Sequence, residues 1–108
     1  MSPEDIVYLS GPMTGMEDWN HSAFVRAAEH LKETVGCYIF NPAKAFESRK
    51  DLPRPIYEVT LPDWSLHLLL QATAIYMLAG WEHSRGARLE FTVANELGLK
   101  VFYEDAGH

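Results

Sequence analysis

The strongest constraint on this chain is the alternation of two kinds of segment along it. Four short apolar runs, Ile6–Leu9 (IVYL), Cys37–Phe40 (CYIF), Thr73–Leu78 (TAIYML) and Lys100–Tyr103 (KVFY), are separated by stretches of helical periodicity. Runs this short, rich in β-branched and aromatic residues, read as strands, the first of them a buried parallel strand. The first helical stretch, His21 to about Thr34, carries Phe24, Ala27, Ala28 and Leu31 on one face. Asn20 is its expected N-cap and Gly36 closes it. A second is expected from a Thr60 cap, with Pro62 in its first turn, to about Gln71. A third runs from Arg85 to Leu97, between Ser84 as N-cap and Gly98 at C′.

Strands alternating with helices predict βαβ units and a parallel sheet. The expected architecture is a single α/β domain over residues 1–108. It is a flavodoxin-like or Rossmann-like three-layer sandwich of four to five parallel strands in the order 2-1-3-4. Residues 43–59, with Pro53 and Pro55, read as a surface excursion. They, or a partner chain, would supply a fifth strand. In this order strands 1 and 3 are neighbours whose connections leave toward opposite faces, so their carboxyl ends form a switch point where ligands bind.

Two unusual stretches meet there. The loop after strand 1 is SGPMTG, Ser10 to Gly15, whose glycines permit a nest of backbone N–H groups. It is neither a Walker A loop nor GxGxxG. The loop after strand 3 leads through Ser84 and Gly86 into a helix whose amino end is a natural place for an anion. At about 100° per residue, Ala87, Leu89, Val93, Ala94 and Leu97 share the apolar arc of that helix, with Phe91 at its edge. Glu90 lies inside this arc. A carboxylate is rarely buried without partners, because desolvation costs several kcal/mol or drives protonation. Glu90 is therefore either on the flank of a slightly rotated surface helix or a functional group facing the crevice.

A carboxylate beside a sugar can attack its anomeric carbon or stabilise an oxocarbenium-like centre. Asp63 is a candidate second carboxylate, although three residues after Thr60 it also suits a helix cap. Trp19 and Trp81 could stack on a base or serve ordinary packing. A net charge of −6 argues against nucleic-acid polymers and anionic membranes as partners. A phosphate would have to be held by N–H groups and hydroxyls. Cys37 is the single cysteine, and the five histidines lack ligand spacing, so neither a disulfide nor a metal is expected. The amino-terminal stretch lacks a signal-peptide pattern and no apolar run is long enough to span a bilayer, so the expectation is a soluble cytoplasmic protein. Apolar residues such as Trp64, Leu68 and Trp81 are hard to cover within one small chain, which predicts a homodimer burying part of this surface.

YLSGPMTG, the Asn-x-x-x-Phe helix, NPA and YMLAGWEHSRGARLEFTVANELGLKV together resemble the nucleoside 2-deoxyribosyltransferase-like superfamily, over roughly Val7 to Val101. They resemble most closely a small branch of it found in bacteria and phages. The resemblance implies a flavodoxin-like fold, homo-oligomers with sites near the interface, and no cofactor. It implies that Glu90 is the nucleophile that takes the glycosyl group. It also implies that Ser84 and the glycine-rich first loop hold a 5′-phosphate. The chain departs from the superfamily pattern at Ser65 and Thr73, where aspartates are usual.

The expected activity is therefore cleavage or transfer at the N-glycosidic bond of a nucleoside or nucleoside 5′-monophosphate. Glu90 and Asp63 are the catalytic candidates. Ser10, Gly11, Met13, Thr14, Gly15, Trp81, Ser84 and Gly86 are expected around the small-molecule ligand. The rival readings are a non-catalytic nucleotide-binding module of the same fold and a structural subunit with a vestigial crevice.

Overall fold

The computed structural model describes residues 1–13, 20–42 and 63–104. Four strands, β1 (Ile6–Ser10), β2 (Tyr38–Phe40), β3 (Ala74–Met77) and β4 (Lys100–Tyr103), form one sheet in the order β2-β1-β3-β4. Every pairing is parallel, with Tyr8 beside Phe40 on one side and Ile75 on the other, and Met77 beside Tyr103. The expected order and direction of the sheet hold. The excursion at 43–59, the Thr60 cap, and Thr14, Gly15 and Trp19 lie outside the described residues.

Between the strands run α1 (His21–Thr34), α2 (Asp63–Gln71) and α3 (Arg85–Glu96). Alternation along β1 decides which helix meets which residue. Val7 and Leu9 pack with Phe24, Ala27 and Leu31 of α1, together with Ala74, Tyr76 and Leu78. Tyr8 points the other way, into a second cluster with Leu69, Ala72, Ile75, Met77, Ala87 and Ala94. Helices thus cover both faces, α1 on one and α2 with α3 on the other. Burying β1 and β3 from both sides is what a parallel sheet of aliphatic strands requires.

The ends of the elements differ from expectation in two instructive ways. Asn20 sits at the amino end of α1 but in a left-handed conformation (φ 62°), and its side chain makes no cap hydrogen bond. Its Nδ2 instead donates to the Pro12 carbonyl at 2.9 Å, tying the first loop to the helix. Strand 2 begins at Tyr38 rather than Cys37, since its pairing with β1 starts at Ile6 and Tyr38; Cys37 is buried against the α1 side, where burial pushes its thiol up. Gly36 (φ +79°) and Gly98 (φ +76°) do close their helices in the left-handed region, as read from the sequence.

The amino ends of three strands are tied by one buried carboxylate. Asp5 accepts from the Ser2 backbone N–H at 2.8 Å, the Lys100 ammonium at 3.1 Å and the Thr73 hydroxyl at 2.9 Å. Thr73 Oγ1 accepts in turn from Ile6 N–H at 2.8 Å. The Ser2 N–H first, then Lys100 and Thr73, hold Asp5 down to about 2 from its ordinary 3.8. A depressed carboxylate contributes stability that is present above pH 3.8 and is lost as pH falls through about 2. Allowing for the half-exposed Lys100 side chain, Asp5→Asn should cost about 1–2 kcal/mol at neutral pH. Chemical denaturation at pH 7 and again near pH 2 checks this: the difference between wild type and variant should shrink at the lower pH. A constant difference would show that Asp5 acts by packing alone. This knot also explains Thr73, which lies at the end of β3 opposite the switch point.

Candidate active site

At the carboxyl ends of β1 and β3 the two loops lie against each other. The Leu78 N–H donates to the Ser10 carbonyl at 2.7 Å, extending the ladder by one bond past the last paired residues. A Cβ on Gly11 would stand 2.8 Å from Leu78 Cβ, closer than real Cβ atoms approach, so only glycine lets the first loop lie this close to the third strand. Gly80 adopts φ +86°, and its α-carbon faces Pro12, whose Cγ would be 3.5 Å from an added Cβ. Glu104 holds the second loop from the β4 side, accepting from the Ala79 N–H at 2.9 Å. The convergence of the two stretches, inferred from topology, is a physical contact.

Gly80 opens a short 3-10 turn, Trp81–His83, not foreseen in the sequence. It delivers the chain to Ser84, whose hydroxyl accepts from the Ala87 N–H at 3.2 Å and caps α3 as expected. The Ser84 oxygen acts here as an acceptor, which leaves its O–H proton available to donate elsewhere. Gly86, in the first turn, is exposed, with no atom within 4 Å of an added Cβ. Trp81 is half-buried, stacked at 4.7 Å on Phe91 and 6.1 Å from Tyr103 between ring centroids. Its ring thus has packing partners within the chain.

The orientation of α3 is the decisive feature. Its buried residues are Ala87, Glu90 and Ala94, while Leu89 and Leu97, expected inside, are 38% and 41% exposed. The helix is rotated so that its two alanines meet the sheet and Glu90 points at β1. Small side chains permit close approach, and the carboxylate is drawn in by two donors. Glu90 is 9% exposed, so the flank reading of this residue does not hold.

Among the described residues Tyr8 and Ser10 donate to it, both fully buried, i and i+2 on the same face of β1. The Tyr8 hydroxyl donates to Glu90 Oε2 and the Ser10 hydroxyl to Oε1, the latter at 2.6 Å. Each oxygen of the carboxylate is thereby assigned a direction, and charge-assisted bonds of this length are the strong ones. Ser10, expected around the phosphate or sugar, donates its hydroxyl to Glu90, and Tyr8 was missed. The signal for Tyr8 was available: a phenol in an otherwise aliphatic buried strand must find an acceptor. A Glu in an apolar arc must likewise find a donor. Each anomaly resolves the other.

The other expected residues are distributed as follows. Gly11 and Met13 lie in the first loop, Trp81, Ser84 and Gly86 at the entry to α3. Asp63 opens α2, but its side chain lies outside the described residues. Among the described residues no group of His, Cys, Asp and Glu could hold a metal ion, and no helix is long and apolar enough to cross a membrane.

The fold and this crevice define a parallel α/β domain of flavodoxin-like type with a buried glutamate, hydrogen-bonded by Tyr8 and Ser10, at its switch point. Residues 5–103 match the family described as "Domain of unknown function (DUF4406)", and the chain belongs to that family. No curated protein and no solved structure matches it.

Proposed function

We propose that the protein breaks or transfers the N-glycosidic bond of a nucleoside or nucleoside 5′-monophosphate, with Glu90 as nucleophile. The observation that carries this reading is the Glu90 carboxylate itself, buried beneath the end of β1 and oriented by Tyr8 and Ser10. One carboxylate oxygen bonds to the anomeric carbon as the carbon–nitrogen bond breaks, and the electron pair leaves with the base. The base is protonated by an acid, for which Asp63 is the candidate, or by water. Water, or a second base, then attacks the same carbon and releases Glu90. The two hydroxyls fix the carboxylate against rotation and spread its charge, so little reorganisation is needed during attack. The resemblance of the GWEHSRGARLE block to nucleoside 2-deoxyribosyltransferase-like enzymes supports the same assignment.

For a 5′-phosphate the recognition elements are the N–H groups of Gly11, Met13, Thr14 and Gly15 and the amino end of α3 at Gly86, with the free Ser84 proton. Trp81 would border the base. Ser84→Gly removes the hydroxyl at little cost in capping, whereas Ser84→Ala loses both. Titration calorimetry with the glycine variant should show affinity for a monophosphate reduced by about 1–3 kcal/mol, with nucleoside affinity unchanged. A wild-type preference for the unphosphorylated nucleoside would remove phosphate from the assignment.

The near-complete burial of Glu90 favours one rival, a nucleotide-binding module in which this carboxylate only braces the site. Incubation with a panel of nucleosides and 5′-monophosphates, with chromatography of the free base, separates the two. Base release supports the enzyme; binding without release supports the module.

A further inference from the structure

Among the described residues Asn20 is the only non-glycine one with positive φ, at 62°. Asparagine tolerates this region better than most residues, yet the conformation still costs energy. It persists only where the surroundings over-determine it, and such residues gather at functional sites. Asn20 also forgoes what asparagine usually does at a helix start, since its side chain makes no cap hydrogen bond to α1. The carboxamide Nδ2 turns back eight residues and donates to the Pro12 carbonyl at 2.9 Å. Two local losses, one in the backbone and one in the cap, thus serve a single contact with the first loop.

That contact fixes one peptide plane. With no cis bond among the described residues, the Pro12–Met13 unit is trans, and its N–H points opposite to its C=O. The Pro12 carbonyl is committed to Asn20, so the Met13 N–H points away from Asn20. Among the described residues this N–H has no acceptor, although Met13 is half-buried. The Pro12 ring is held as well, 3.5 Å from where a Cβ would stand on Gly80. The Pro12–Met13 peptide is therefore pinned at the junction of the two loops, with a donor left open. A donor set in place beforehand needs no reordering when an anion arrives.

We propose that Asn20 is a positioning residue, which locks the Pro12–Met13 peptide so that the Met13 N–H is presented to the 5′-phosphate of the ligand. This role rests on the reading that the first loop takes that phosphate, and not on Glu90 or on turnover.

Asn20→Asp and Asn20→Gly both cut the tie while suiting the helix start. Aspartate keeps the shape and is favoured at a helix amino end, but it turns an acceptor toward the Pro12 carbonyl. Glycine adopts positive φ freely and caps nearly as well. It is also neutral, so a loss in that variant is not charge repulsion. Both variants should melt close to wild type. Titration calorimetry of the full chain with the common nucleoside 5′-monophosphates and the matching nucleosides reads the effect. Each variant should lose about tenfold more affinity for the monophosphate than for the nucleoside, the scale of one net hydrogen bond. With the methionines labelled with nitrogen-15, the Met13 amide resonance should move when monophosphate is added to wild type, and move less in either variant. An unchanged preference between the two ligands, whether or not the variants melt lower, makes Asn20 a structural tie and overturns the proposal. A Met13 amide that does not respond in wild type overturns it too. A wild-type protein with no preference for the monophosphate overturns the phosphate reading itself and this role with it, and that result precedes any variant.

Discussion

Glu90→Gln is expected to lower glycosidic turnover by about three orders of magnitude or more while the protein stays folded. An amide of nearly the same shape cannot form the glycosyl intermediate, and groups that act as nucleophile lose activity on this scale when replaced. Stability should change little. Tyr8 and Ser10 are hydroxyls, each able to accept as well as donate, so the Gln carbonyl can take one of them and the Gln NH2 can donate to the other. Glu90→Ala is the contrast. It leaves a cavity and two buried hydroxyls without this acceptor, and should cost several kcal/mol. Melting and turnover on both variants separate a nucleophile from a brace. If Glu90→Gln melts several degrees lower yet retains wild-type turnover, Glu90 is not the nucleophile.

Tyr8→Phe tests the support of that carboxylate. Its hydroxyl is fully buried and donates to Glu90 Oε2 from the adjacent strand. A hydrogen bond to a charged group contributes about 1.5–3 kcal/mol, so turnover should fall roughly ten- to a hundredfold. The more specific sign lies in the pH profile. A carboxylate deprived of a donor holds its charge less readily, so the acid limb of kcat/KM should move to higher pH. Loss of packing alone lowers the rate at every pH and leaves the limb in place. Ser10→Ala should shift the limb in the same direction, because its bond to Oε1 has the same character.

These residues show where the information in the sequence lay. Short apolar runs and a period of 3.6, together with Gly36, Ser84 and Gly98, were sufficient for the three helices, four strands and their order, because hydrophobic pattern and turn chemistry act locally. The same reasoning brought the two loops to one crevice, since topology alone places the carboxyl ends of β1 and β3 together. It also singled out Glu90, because a carboxylate in an apolar arc is anomalous wherever the helix lies.

Tertiary structure decided what the local pattern leaves free. A helix wheel is indifferent to rotations of a few tens of degrees, and the apolar arc of α3 was wide enough to accept either Leu89 and Leu97 or Glu90 and Ala87 as its inward edge. The choice was made by partners about eighty residues away in the chain, Tyr8 and Ser10, whose hydroxyls satisfy a charge that leucines could not. The bond between Asp5, Thr73 and Lys100 arose in the same way, from strand ends remote in sequence and adjacent in space. Periodicity in the sequence determined which residues can share a face; long-range polar satisfaction determined which face turned inward.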